Sequence, residues 1–145
     1  MDVQKILEQL SLQGKKREGV LAKIYDVVES WGLRLPDVKP DPLHFGLDDF
    51  DNIGETEFNV NNNIDDGYYG KFMFMFSGQT CPMHYHRIKH ETFFIVKGRI
   101  GMELNGETSV MSQGASLAID QNSKHRFTAL EDSLWRAPQN LIHLL

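Results

Sequence analysis

The chain has 145 residues, 15 Lys and Arg against 20 Asp and Glu, a net charge of −5 and a single cysteine. That length fits one domain with a buried core, the acidic balance disfavours a nucleic-acid partner, and one thiol excludes an internal disulfide framework. No apolar run nears the roughly 18 residues that span a bilayer, and Met1-Asp2-Val3-Gln4-Lys5 lacks a basic-then-apolar leader pattern, so a cytoplasmic globular protein without a membrane partner is expected.

Residues 2–13 read as a helix, with Val3, Ile6, Leu7 and Leu10 at helical spacing and Asp2 as its N-cap. Gly14 breaks it. Arg17 to Trp31 is a second helix whose Val20, Leu21, Ile24, Val27 and Val28 share a face, and Gly32 is a suitable terminator. Arg34 to Pro42 is an extended connector, and Asp48, Asp49 and Asp51 belong to a solvated loop. Glu55 to Val60 reads as a strand, followed by polar turns at Asn61-Asn62-Asn63 and Asp65-Asp66-Gly67.

From Tyr68 onward the pattern is β. Phe72, Phe74 and Phe76 alternate with Met73 and Met75, as in a strand buried on both faces. Short strands are expected at 92–97, 99–104, 107–111, 116–119, 125–130 and 133–136, and Asn105-Gly106 is a two-residue hairpin signal. Many short strands between Gly and Asn turns argue for an all-β barrel or sandwich. The division expected is a helical segment over 1–35 and a β-barrel over 36–145, together one compact domain.

The chemistry concentrates between Gly78 and Gly98. His84 and His86 are two apart, so on a strand they share a face. Glu91 opens the next strand and faces the same point if the chain turns back through 87–90. Two imidazoles and a carboxylate suit a divalent ion such as Mn, Fe, Co, Ni or Zn. Cys81 reads as a packing residue, His44 and His143 as structural or surface groups, and Lys89 and His90 as loop residues beside the ligands.

The pattern Gly78-x5-His84-x-His86-x4-Glu91-x6-Gly98 resembles the first motif of the cupin superfamily, and Gly114 with His125 resembles the second. The resemblance implies a jelly-roll β-barrel with His125 as fourth metal ligand beside His84, His86 and Glu91. Gly78-Gln79-Thr80-Cys81-Pro82-Met83-His84-Tyr85-His86 with Lys89 and Glu91, the stretch 43–54 and His125-Arg126-Phe127 are similar to the D-lyxose isomerase family of cupins. That likeness implies an Mn-dependent ketol isomerase acting on a small sugar, with Lys71, 13 residues before His84, in the sugar pocket.

Aldose–ketose isomerisation needs an electrophile at the carbonyl oxygen, which a metal with open positions supplies, and a positioned acid or base. The family places a Glu and then an Asp on strands after His-Arg-Phe, whereas no carboxylate follows Asp132 here. The last strands read as short or missing, and the acid/base groups stay unassigned. A metallocupin oxygenase and a non-catalytic metal- and sugar-binding cupin are the alternatives. A short barrel with open sheet edges needs cover, so a homodimer is expected.

Overall fold

The computed structural model describes residues 3–61 and 68–140. Two helices, α1 (Val3–Leu10) and α2 (Gly14–Ser30), precede nine strands: β1 (Asp41–Leu43), β2 (Glu55–Asn61), β3 (Tyr68–Met75), β4 (His90–Lys97), β5 (Arg99–Leu104), β6 (Glu107–Ser112), β7 (Ser116–Ile119), β8 (His125–Ala129) and β9 (Ser133–Asn140). The strands form a six-stranded sheet in the order β1-β2-β3-β9-β4-β7 and a three-stranded sheet in the order β6-β5-β8. Every strand pair is antiparallel. This is the all-β jelly roll expected from the sequence.

The alternation in β3 is explained by two cores, one on each face of its sheet. Met73 and Met75 point between the sheets, where they join Cys81, Phe93, Ile95, Ile100, Met102, Phe127 and Trp135. Phe74 points the other way, into a second cluster with Val20, Ile24 and Val28 of α2, and Phe72 and Phe76 pack against that cluster. The outer face of the large sheet is thus covered by an amphipathic helix, which is why the unbroken apolar run at 72–76 is stable here. α2 ends as its sequence requires. Trp31 is the C-cap, Gly32 has a φ of 72°, and the Gly32 and Leu33 amides close on the carbonyls of Glu29 and Val28.

Several boundaries differ from the sequence reading. α1 stops at Leu10 because Ser11 bridges Leu43, and the amides of Leu12 and His44 take the carbonyls of Pro42 and Leu10. α2 opens at Gly14, three residues before Arg17, and Gly14, at a φ of 63°, marks the break between the two helices. The end of the 34–42 connector pairs with β2 as β1. Asp2, His143 and the turn at 62–67 lie outside the described residues. The main correction is β9. The last described strand, expected over 133–136 and read as short, runs eight residues and sits between β3 and β4. Pro138 marks an end on paper, since proline cannot donate to a ladder. In the sheet it sits opposite Gly70, and the β4 pairing passes from Glu91–Gln139 to Phe94–Arg136 without a pair at Pro138.

Candidate metal centre

The segment from Gly78 to His84 brings the histidines together. It lies along the open edge of β8, with the Gly78 amide donating to Ala129, the Ala129 amide to Gln79, and the amides of His84 and His125 to each other's carbonyls. Thr80 adds side-chain bonds to the Phe127 carbonyl at 3.0 Å and to the Thr128 hydroxyl at 2.9 Å. His84 and His125 are therefore a cross-strand pair, their ring centroids 4.1 Å apart. The segment is an isolated bridge rather than the regular strand expected for His84 and His86. The two still meet, with centroids 5.0 Å apart.

One ligand nitrogen from each of His84, His86 and His125 lies within 4.8 Å of the other two. Their protonation follows from their partners. The Nδ1 atoms of His84 and His125 are 2.8 Å from the carbonyls of Pro82 and Ser123. A carbonyl only accepts, so each Nδ1 carries the hydrogen and each Nε2 keeps its lone pair. His125 Nε2 is buried and has no hydrogen-bond partner among the described residues. Burial pushes the His84 imidazole down to about 4 and lowers His125 as well, so both rings are neutral near pH 7.

Glu91 completes the cluster from the start of β4. Its Oε1 is 2.8 Å from His86 Nε2 and 3.7 Å from His125 Nε2. Burial alone would raise this carboxyl, but the His86 hydrogen bond and the charges of Lys89 and Lys71 hold it down to about 2. Two ligands about 2.1 Å from one ion and at right angles lie about 3 Å apart, close to the His86–Glu91 separation. Neutral imidazoles with directed lone pairs, an orphaned buried nitrogen and an ionised carboxylate fit a divalent cation.

His84, His86 and Glu91 line a cavity of about 250 Å³, whose other walls include Lys71, Lys89, Glu55, Glu57, Met73 and Phe93. Lys71, expected in the sugar pocket, is buried there and its Nζ is 2.8 Å from Glu57 Oε1. Burial opposes its charge, but Glu57, Glu55 and Glu91 outweigh that and raise its pKa above the ordinary lysine value. Lys89 also lines this cavity, and burial brings it down to about 8. His90 faces Asp120 at 3.5 Å. Cys81 is a core residue whose thiol burial pushes up, and His44 Nδ1 accepts the Gly46 amide at 3.0 Å.

Glu55 and Glu57 escaped the sequence reading. On β2 they share a face, and a Glu-Thr-Glu start looks solvent-directed. The face is internal because Phe58, of opposite parity, is buried against α2. The signal that could have found them is the buried face of the neighbouring strand: β2 pairs with the half of β3 that carries Lys71 and Met73.

Residues 72–136 match the family model described as "Cupin domain". The fold is a cupin jelly roll. A predicted oxalate decarboxylase from Thermotoga maritima superposes with a TM-score of 0.63 at 15% identity, covering 74% of this chain and 96% of that one. The cupin domain of Schizosaccharomyces pombe Cnp3 gives 0.58 at 13% identity, covering 62% and 66%. KdgF from a Halomonas species gives 0.55 at 20% identity, covering 60% and 78%. At such identities the likeness is one of fold, which does not by itself fix function. No curated protein matches the chain. None of the described helices is long and apolar enough to cross a membrane.

Proposed function

We propose that this cupin is a metal-dependent aldose–ketose isomerase of the D-lyxose isomerase type, with His84, His86, Glu91 and His125 as metal ligands and manganese as the working ion. The observation that carries the reading is the shared cavity. His84, His86 and Glu91, clustered with His125, line a space of about 250 Å³ whose other walls supply lysines and carboxyls. That volume is below the roughly 300–1,000 Å³ of drug-sized sites and suits a small polar ligand.

A bound divalent ion would supply an electrophile for a sugar carbonyl or hydroxyl oxygen. The chain's own residues supply the rest. Lys71 stays charged, is fixed by Glu57 and presents its remaining N–H groups to sugar oxygens. Glu55 and Glu57 are the carboxyls from which a proton transfer between C1 and C2 would draw. They stand on β2, before the motif. Met73 and Phe93 give the cavity an apolar side against which C–H groups rest.

The test is to load the protein with Mn and follow D-lyxose, D-xylulose, D-mannose and D-fructose by NMR. Interconversion of an aldose with its ketose that stops on chelation is expected. Metal-loaded protein that binds a sugar and converts none of them would overturn the isomerase and favour a sugar-binding cupin.

A further inference from the structure

We infer that the groove between α2 and the end of β3 is a second ligand site, built for a phosphate monoester that carries a flat apolar group. It shares no lining residue with the metal cavity, and it does not depend on the reading of that cavity as an isomerase site.

The groove has a volume of about 490 Å³, within the roughly 300–1,000 Å³ of small-molecule sites. Lys15, Lys16 and Lys23 line it against Asp51, so three positive charges less one negative leave +2 there, on a chain whose total is −5. Lys16 is bonded to Asp51 at 3.2 Å, whereas Lys15 and Lys23 have no ion-pair partner among the described residues. Lys15, Gly19 and Lys23 follow one another at four-residue spacing, on one stripe of α2. The two lysines are therefore about 12 Å apart along the axis with Gly19 midway, and their long side chains can both reach an anion held over the glycine. Glycine inside a helix weakens it relative to alanine. Nothing local requires one here: Gly19 has no positive φ, and a Cβ would meet no atom within 4 Å. Its missing side chain keeps the space between the lysines open. Phe76 and the buried Val20 and Phe50 supply an apolar wall beside the cations. Ammonium groups act as point charges suited to phosphate, and a phosphate monoester of about −1.5 to −2 at neutral pH matches the local charge. The apolar wall calls for a ligand whose remaining part is flat and uncharged.

The experiment is calorimetric titration of the Mn-loaded full chain with 1-naphthyl phosphate, with neutral 1-naphthol and with inorganic phosphate. Wild type is expected to bind the ester saturably and at least roughly tenfold more tightly than either fragment. Lys15→Gln combined with Lys23→Gln should weaken the ester by roughly tenfold or more. Gly19→Leu places a side chain in the groove and a better helix former in α2. It should therefore melt at or above wild type and still lose roughly tenfold in ester affinity. Mn content of the variants should match wild type. The inference is overturned if wild type does not saturate with the ester, or if 1-naphthol or inorganic phosphate binds as tightly. It is equally overturned if ester binding is unchanged in the folded double lysine variant or in Gly19→Leu, because an ester held elsewhere, the metal centre included, would not respond to those changes. Absence of sugar turnover would remove the isomerase and leave this site standing.

Discussion

Charge pairing inside the cavity gives the most local tests. Lys71 and Glu57 are both largely buried, at 9% and 13% side-chain exposure, and bonded at 2.8 Å. Removing one partner of such a pair strands the other, at about 3–5 kcal/mol. Lys71→Met should therefore destabilise by that order in chemical denaturation, and adding Glu57→Leu should recover most of the loss. A double variant as unstable as the sum of the single ones would show that the pair is not coupled. A second test is pH dependence in the metal-free protein. Glu55 is raised from 4.5 to about 8 by burial and by Glu57. Its stabilising contribution is complete below 4.5 and is lost as pH rises through 8. His84 is lowered from 6.5 to about 4, so its contribution is complete above 6.5 and is lost as pH falls through 4. Between pH 6.5 and 8 the wild-type melting temperature should fall by more than that of Glu55→Gln, and parallel curves would contradict this. At this scale His84 and His86 were legible from their spacing, while His125 was legible only through its resemblance to a second cupin motif. Glu55 and Glu57 were not, because two acids on a strand look the same whether they face water or a cavity.

At the scale of elements, the hairpin and helix signals were legible because they depend on local backbone chemistry. Asn105 and Gly106 have φ of 49° and 84°, the two positive values that a two-residue type I′ turn demands. Gly98 turns β4 into β5 at a φ of 90°, where a Cβ would collide with Ser133 Oγ and lie 2.5 Å from the Asp132 carbonyl. Gly98→Ala should lower stability by about 2 kcal/mol or more, and a melting temperature equal to wild type would rule out this packing. β9 was only half legible, since Pro138 stops a local reading while the gap in the pairing that accommodates it is set by β4, far away in sequence. The docking of α2 rests on Phe74, fully buried and 6.2 Å from the Trp31 ring. Phe74→Ala should cost about 3–5 kcal/mol and loosen α2 in hydrogen exchange. Unchanged protection of α2 would show that the helix is held elsewhere.

In the whole molecule, the candidate ligands come from two places far apart in sequence, and the sandwich joins them. His84 and His86 ride on a segment paired to the edge of β8, His125 starts β8, and Glu91 starts β4 in the opposite sheet. The sequence motif could specify which residues meet but not the wall facing them, because that wall is built by long-range pairing of β2 with β3 and of β3 with β9. The most direct measurement is Mn binding by equilibrium dialysis with elemental analysis, on wild type and on His84→Ala, Glu91→Gln and His125→Ala. The four-ligand centre requires about one ion per wild-type chain and an affinity at least roughly tenfold weaker in each folded variant. Variants that fold and hold Mn as tightly as wild type would contradict it.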